Sequence, residues 1–255
     1  MGQRLVEVRC YEELNDFLPP ELRKRSFSWP LGPGQTVKSL VEALGVPHTE
    51  VDLALVNGLS VGFRHRLADG DRLAVYPVFE SLEIAGLSRV RPLPLRVARF
   101  VLDVHLGRLA RLLRLAGFDC LYDNHWDDHT LSRLSRQEGR ILLTRDRGLL
   151  MRAEVTHGYC VRSPHPPEQL AEVLVRFDLS GRLSPFSRCL VCNQPLEAVP
   201  RRRARERVPP LVARRYRRFR ACPQCGRVYW RGSHWEHMRR YLLAKAGEAA
   251  AEFNP

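Results

Sequence analysis

The stretch RFVLDVHLGRLARLLRLAGFD, residues Arg99–Asp119, places a short apolar run directly before a helical pattern. The run RFVL has the length and composition of a buried strand. The apolar residues that follow share one helix face: Leu106, Leu109, Ala110 and Leu113. Gly117 then supplies a helix stop. A strand followed at once by a helix of this length is the repeating unit of a parallel sheet.

The same alternation continues towards the C-terminus. FDCLY, RILLT and GYCV are the next strand candidates, and DDHTLSRLSRQEG and PPEQLAEVLVRF are the helix candidates. These segments predict an α/β domain over residues 97–180, in which a parallel sheet is flanked by helices.

Acidic residues stand where this sheet would hold an active site. Asp103 ends the first strand, Asp146 follows RILLT, and Asp127 and Asp128 open the helix between. Active groups of open parallel sheets gather beyond the carboxyl ends of the strands. Converging carboxylates repel one another, so Mg²⁺ or Mn²⁺ is the natural compensation. Such a cation supplies a bound water that attacks a phosphodiester, which predicts a catalytic site.

Three of these four acids also have a clear structural explanation. Asp127 or Asp128 could simply cap a helix, because aspartate is a favourable N-cap residue. Asp146 stands between two arginines, Arg145 and Arg147, and could serve as their ion-pair partner. Asp103 has no adjacent basic residue, so it is the hardest of the four to explain without a ligand.

Paired cysteines predict a metal site further along the chain. Cys189 and Cys192 form one Cys-x-x-Cys knuckle, and Cys222 and Cys225 form a second one after 29 intervening residues. Four thiolates suit tetrahedral zinc in a closed structural site. Zinc would stabilise a polar segment, residues 181–242, that is too small to fold alone.

Most of the positive charge lies between the two knuckles. The chain has 255 residues and a net charge of +13, and residues 188–220 alone carry 11 arginines against 2 acidic residues. Arginine suits phosphate, and Tyr216 and Phe219 could stack on unpaired bases. We therefore expect RNA contact by the following arginines: Arg201, Arg202, Arg203, Arg205, Arg214, Arg215, Arg217 and Arg218. Trp230, His234 and Trp235 follow the second knuckle. They either pack the cysteine-bearing segment onto the α/β domain or, in the case of His234, face the metal site or RNA.

The first 80 residues have a different pattern. Strand-like segments flank the helix signal VKSLVEALG, where Thr36 can cap the start. This order predicts a β-grasp domain over residues 1–80. At VNG and LADGDRLAVYPVF it resembles the ubiquitin-related sulfur-carrier proteins of thiamine and molybdopterin synthesis. Those carriers act through a free C-terminal Gly-Gly, whereas PVFESLEIAG here runs on into a linker, residues 81–96, so a docking module is expected.

The C-terminal part resembles a named nuclease type. RFVLDVHLGRLARLLRLAGFD, DDHTLSRLSRQEGRILLTRDRGLL, the knuckles and VYWRGSHWEHM are similar to the PIN-fold ribonuclease domain with an appended zinc ribbon, the mutator-seven C-terminal type. The resemblance covers roughly residues 97–242 and leaves residues 243–255 as a tail. It implies that Asp103, Asp128 and Asp146 bind the catalytic metal, with Asp127 as the alternate. PIN nucleases often carry a fourth acid where this chain has Gly148.

The leading hypothesis is a Mg²⁺- or Mn²⁺-dependent ribonuclease whose ribbon holds RNA, such as transfer RNA or ribosomal RNA, and whose β-grasp domain docks a protein partner. A non-catalytic RNA- or ribosome-binding adaptor is the alternative, and a sulfur-transfer accessory to transfer-RNA modification is a third. No segment has the pattern of a signal peptide or the roughly 18 apolar residues of a membrane span. We therefore expect a cytoplasmic protein that has no membrane partner.

Overall fold

The structure, a computed structural model, describes residues 3–77, 88–90 and 97–233, together with positions 236, 240, 244 and 247. Most of the predicted linker 81–96 and of the predicted tail 243–255 lies outside these residues, and so do His234 and Trp235. The chain divides into two compact units. The first unit combines Met1–Val97 with Asp128–Cys160, and the second combines Ala98–Asp127 with Val161–Pro255.

The secondary structure follows the predicted order of strands and helices. The strands are β1 (Leu5–Cys10), β2 (Phe27–Pro30), β3 (Leu53–Val56), β4 (Leu59–Ser60), β5 (Arg72–Tyr76), β6 (Arg99–Leu102), β7 (Asp119–Leu121), β8 (Ile141–Thr144), β9 (Gly158–Cys160), β10 (Glu197–Val199), β11 (Phe219–Ala221) and β12 (Val228–Trp230). The α-helices are α1 (Val37–Ala43), α2 (Gly107–Ala116), α3 (Asp128–Glu138), α4 (Arg147–Leu150), α5 (Pro166–Arg176), α6 (Arg201–Ala204) and α7 (Pro210–Arg215). Short 3₁₀ helices occur at Glu12–Phe17, Pro20–Leu22, His48–Glu50, Val104–Leu106, Ser180–Arg182 and Arg205–Arg207.

The N-terminal part of the first unit is a five-stranded mixed sheet. Its strand order is β2-β1-β5-β3-β4, with β1 and β5 parallel and the other neighbours antiparallel. Helix α1 begins with a reciprocal cap, because Ser39 N–H donates to Thr36 Oγ1 at 3.2 Å and Thr36 N–H donates to Ser39 Oγ at 2.9 Å. Alternate residues of β1 are buried, as its sequence predicts. These features confirm the predicted β-grasp architecture.

The same unit contains a parallel strand pair with its own helices. Strands β8 and β9 run parallel, with Leu142 opposite Gly158. All four residues of β8 are buried, as expected for a strand covered on both faces. Helix α3 precedes β8, and the short helix α4 follows it within three residues.

The second unit repeats the pattern. Strands β6 and β7 are parallel, with Phe100 opposite Cys120, and α2 connects them and packs against α5. Gly117 ends α2 at a φ of +102°, and a Cβ there would lie 2.3 Å from the carbonyl oxygen of Ser184. Only glycine allows this close approach of the chain to the end of α2. The predicted α/β class, with parallel strands and flanking helices, is confirmed.

The cysteine-bearing segment of the second unit forms a three-stranded antiparallel sheet. Strand β11 lies in its centre, between β10 and β12. The arginine-rich insert between β10 and β11 contains α6 and α7, so it has regular structure. Over the described part of the chain, no helix is long and apolar enough to cross a membrane.

Candidate functional site

The four predicted zinc ligands come together in the three-stranded ribbon. The ligand atoms of Cys189, Cys192, Cys222 and Cys225 all lie within 4.8 Å of one another. The Sγ atom of Cys192 is 3.5 Å from that of Cys189 and 3.2 Å from that of Cys222, and Cys189 Sγ is 3.6 Å from Cys225 Sγ. Zinc–sulfur bonds of about 2.3 Å in a tetrahedron require sulfur–sulfur separations of about 3.8 Å. The four-cysteine cluster therefore fits a zinc ion.

Both knuckles have the same backbone turn. The residue after each second cysteine has a left-handed φ, +67° at Asn193 and +70° at Gly226. Each first cysteine closes the turn: Asn193 N–H donates to Cys189 O, and Gly226 N–H donates to Cys222 O, both at 3.0 Å. Glycine and asparagine are the residues that adopt this conformation most readily. The sequence therefore encodes both the ligands and the turns that orient them.

The environment of Cys189 favours its thiolate. Burial raises the pKa of the Cys189 thiol, but hydrogen bonds from the Cys192 backbone and the Tyr229 hydroxyl outweigh that effect and lower the pKa to about 6. The Tyr229 Oη atom lies 3.1 Å from Cys189 Sγ. In contrast, burial and the neighbouring thiols of Cys222 and Cys189 raise the pKa of Cys192 to about 12. A lowered pKa favours the deprotonated form that a metal ion requires of a cysteine ligand.

Two residues that sequence reasoning missed tie the first knuckle to the sheet of the second unit. Arg114 of α2 is 5% exposed, and it donates from Nη1 to Val191 O at 2.7 Å and from Nε to Cys120 O at 2.9 Å. Asn193 accepts from Cys120 N–H at 3.0 Å and donates to Asp119 Oδ1 at 2.7 Å. Burial lowers the pKa of the Arg114 guanidinium. Asp119, the first residue of β7, is part of this connection.

The predicted catalytic acids lie at the chain positions that the strand pattern implied. Asp103 follows β6 directly and is only 5% exposed. Asp146 follows β8 after one intervening residue and is exposed. Asp128 is the first residue of α3, and Asp127 precedes it; both are exposed. Asp103 and Asp127 belong to the second unit, and Asp128 and Asp146 to the first, so a shared cation stays a prediction.

Asp146 also has a structural task. Its Oδ1 atom accepts the Gly148 N–H at 2.7 Å and caps the start of α4. A carboxylate offers two oxygens with about four acceptor sites, so this cap uses only part of its capacity. The interpretation of Asp146 as a cap and the interpretation as a ligand are therefore compatible.

Contacts from the β-grasp segment fix the chain around Asp146, within the first unit. The Arg147 guanidinium lies over the Phe17 ring, 4.9 Å from its centroid, and Arg147 Nη1 is 3.3 Å from Phe17 O. His48 Nε2 lies 2.9 Å from Val155 O, and its Nδ1 lies 2.8 Å from Glu42 Oε1. The contacts of Arg147 with Phe17 and of His48 with Val155 are absent from any local sequence pattern, because they join residues more than 100 positions apart.

Glu50 makes the most deeply buried of these contacts, and it provides a test of them. Its side chain is fully buried, and Oε1 accepts the Cys160 N–H of β9 at 2.6 Å. Replacing Glu50 by alanine leaves this buried N–H without its acceptor, so we expect a loss of about 2–4 kcal/mol in the free energy of unfolding. Urea unfolding should show this loss, and hydrogen exchange at the Cys160 amide should accelerate. The exposed Glu21→Ala variant is the control; an equal effect in both variants would contradict the assignment.

The basic insert presents most of its predicted RNA-binding side chains to solvent. Seven of the eight arginines are exposed: Arg202, Arg203, Arg205, Arg214, Arg215, Arg217 and Arg218. Arg201 is half-buried, and its guanidinium donates to Ala213 O at 2.7 Å and Arg214 O at 3.1 Å. It therefore closes the C-terminal end of α7.

The expectation that Phe219 stacks on RNA bases is wrong. Phe219 is only 3% exposed, because its side chain points into the ribbon core from β11. Tyr216 is half-buried at the end of α7, and Trp230 is half-buried at the end of β12. These two rings retain accessible surface.

Comparisons with known proteins agree with this architecture. The family model described as Mut7-C RNAse domain matches residues 98–242, and the one described as Mut7-C ubiquitin matches residues 3–83. A human protein named exonuclease mut-7 homolog is 36% identical over 107 residues, which is 40% of this chain and 12% of the human protein. No solved structure matches the chain.

The two family matches follow the sequence-based division into a β-grasp part and a nuclease part with its ribbon. The RNase match covers more than half of the chain and includes all four knuckle cysteines together with Asp103, Asp127, Asp128 and Asp146. The chain therefore belongs to the Mut7-C RNase family and carries a Mut7-C ubiquitin-like domain before the nuclease domain.

Proposed function

We propose that this nuclease-family protein is a metal-dependent ribonuclease that hydrolyses RNA phosphodiester bonds. The observation that carries the proposal is Asp103, a carboxylate that is 5% exposed at the carboxyl end of a parallel strand inside the segment matched by the RNase family. Active groups of open parallel sheets gather beyond the carboxyl ends of the strands, which is the position of Asp103. The name of the human relative also supports nuclease activity.

The proposed metal ligands are Asp103, Asp128 and Asp146, with Asp127 as the alternate. Carboxylate oxygens are the hard donors that Mg²⁺ and Mn²⁺ prefer, so the chemistry of this donor set fits. When bound, the cation would supply an activated water and offset charge on the phosphate. The Gly148 N–H and the α4 turn hold the Asp146 carboxylate in a fixed orientation.

RNA would be held by the zinc ribbon. Exposed arginines of α6, α7 and the residues before β11 carry the positive charge that a phosphate backbone requires. Transfer RNA and ribosomal RNA are candidate substrates. The proposed domain boundaries remain 1–80, 97–180 and 181–242, and the proposed location is the cytoplasm. The β-grasp domain would bind a protein partner through the part of its own surface that does not contact Arg147 or Cys160.

One observation favours a second function, a non-catalytic RNA- or ribosome-binding adaptor. Gly148 stands where PIN nucleases often have a fourth acid. A Cβ at position 148 would lie 3.2 Å from Asp146 Oδ1, which is tighter than an ordinary contact. A side chain at this position would require the Asp146 carboxylate to shift by a few tenths of an ångström. The site has three proposed acids instead of four.

A cleavage assay separates the two functions. End-labelled transfer RNA and an unstructured RNA are incubated with the protein and Mn²⁺, Mg²⁺ or chelator, and the products are resolved on a gel. We expect cleavage only with metal, and the product ladder distinguishes internal cuts from trimming at one end. RNA binding without cleavage under every condition would select the adaptor function.

A further inference from the structure

We propose that a cavity in the zinc ribbon binds one unpaired nucleobase of an RNA strand. The cavity has a volume of about 460 Å³ and lies wholly within the second unit. Aromatic and aliphatic side chains from three parts of the ribbon line it, including Phe186, Leu211, Tyr216 and Trp230. Its volume falls within the usual range of small-ligand sites. This inference rests on the proposed RNA binding and specifies how the ribbon holds the strand.

The shape of the cavity depends on Gly232. A Cβ at this position would lie 2.8 Å from Trp230 Nε1 and 3.4 Å from Tyr216 Oη. Gly232 N–H also donates to Trp230 O at 3.0 Å, which turns the chain directly after β12. Glycine thus allows the two rings to converge on one space. Converging aromatic rings provide the stacking faces that a single base requires.

A third ring is held in place by arginines. Phe186 has a φ of +69°, a conformation that large side chains rarely adopt. Arg220 Nη1 donates to Phe186 O at 3.1 Å, and the guanidinium groups of Arg220 and Arg231 each lie 5.8 Å from the Phe186 ring centroid. Backbone conformations of this kind occur preferentially at ligand sites and persist only where surrounding contacts hold them. Phe186 is therefore a fixed wall of the cavity.

The charge next to the cavity identifies the occupant. Arg215 lines the cavity, and its guanidinium lies 5.7 Å from the Tyr216 ring centroid. Exposed arginines follow at Arg217 and Arg218. An apolar, aromatic interior beside dense positive charge matches a nucleotide, whose base is flat and whose phosphate is anionic. A double-stranded RNA keeps its bases stacked inside the helix, so the expected ligand is single-stranded.

The test measures whether the protein binds a base in this cavity. Short single-stranded RNAs, one intact and one with a single abasic position, are titrated against the Asp146→Asn protein so that cleavage does not interfere. Base stacking on an aromatic side chain contributes enough to expect about 10-fold weaker binding of the abasic RNA. Trp230→Ala and Tyr216→Ala should weaken the intact RNA by a similar factor and the abasic RNA much less. An RNA carrying 2-aminopurine at this position should lose fluorescence on binding to the parent protein and not to Trp230→Ala.

Arg202→Gln is the matched control, because Arg202 is exposed and does not line the cavity. It should weaken the intact and abasic RNAs equally, and zinc content should be unchanged in every variant. Equal affinity of the parent protein for intact and abasic RNA would overturn the proposal. So would recovery of the 2-aminopurine fluorescence on addition of an apolar peptide but not on addition of unlabelled RNA. These readouts do not involve cleavage, so they hold even if the protein proves to be an adaptor.

Discussion

Replacement of Asp146 by asparagine is expected to abolish RNA cleavage and to leave the fold and the RNA affinity unchanged. The side chain caps α4 by accepting the Gly148 N–H at 2.7 Å. Asparagine caps a helix about as well as aspartate, so the turn should persist. What disappears is the negative charge, and with it a proposed ligand for the cation. Because a catalytic metal contributes several kcal/mol of stabilisation, we expect cleavage to fall by about 1,000-fold or more.

Two further variants separate the cap from the proposed catalytic role. Asp146→Ala removes both, so it should lose cleavage and also about 1 kcal/mol of stability. Asp178→Asn is the matched control, because Asp178 is exposed and its φ of +47° suits asparagine equally well. Cleavage rates with Mn²⁺, urea unfolding and RNA titration should be measured on all three. Cleavage by Asp146→Asn at the rate of the parent protein would reject the assignment of Asp146.

Local patterns in the sequence predict most elements, because their causes are local. Thr36 marks the start of α1 through its cap, and Gly117 marks the end of α2 through its left-handed φ. The alternation of strands and helices predicts the parallel pairs β6–β7 and β8–β9. The cysteine spacing predicts the four-thiol cluster, because each knuckle is a turn of six residues or fewer.

Contacts between residues that are distant in the sequence could not be predicted from local patterns. Glu50 looks like an ordinary surface acid in the sequence, yet it is fully buried against Cys160 N. Arg114 belongs to a helix with a regular polar face, and only the fold shows that it binds the first knuckle. Phe219 lies among arginines, which suggested an exposed ring, but the pleat of β11 turns it into the ribbon core. In each case the partner is set by tertiary packing.

In the arginine-rich insert, the sequence likewise does not show which arginines are available to RNA. The eight arginines predicted to contact RNA look equivalent in the sequence. The structure separates Arg201, whose guanidinium binds carbonyl groups of α7, from its exposed neighbours Arg202 and Arg203. A guanidinium serves either backbone carbonyls or phosphates, and only its neighbours decide between them.

Loss of zinc is expected to unfold the ribbon and to leave the first unit folded. The buried cluster around the knuckles is small: it consists of Cys189, Leu196 and Cys222, with Cys192 and Tyr229 packed against it. Structural zinc sites contribute roughly 10–16 kcal/mol in zinc-finger peptides, far more than such a cluster supplies. The β-grasp sheet and the β8–β9 pair have cores of their own. Metal removal should therefore affect one part of the chain selectively.

Cys222→Ser tests this dependence, because Cys222 is 1% exposed and its Sγ lies 3.2 Å from Cys192 Sγ. The purified parent protein should contain one zinc per chain, and the variant should contain little. Hydrogen exchange should then accelerate in β10, β11 and β12 and remain slow in β1 and β5. Cys10→Ser is the control, because burial raises the pKa of Cys10 to about 12 and the residue lies in β1, outside the cluster. The ribbon presents both the exposed arginines and the proposed base cavity, so Cys222→Ser should also lose most of its RNA affinity. Full zinc content or unchanged hydrogen exchange in this variant would refute a structural role for the metal.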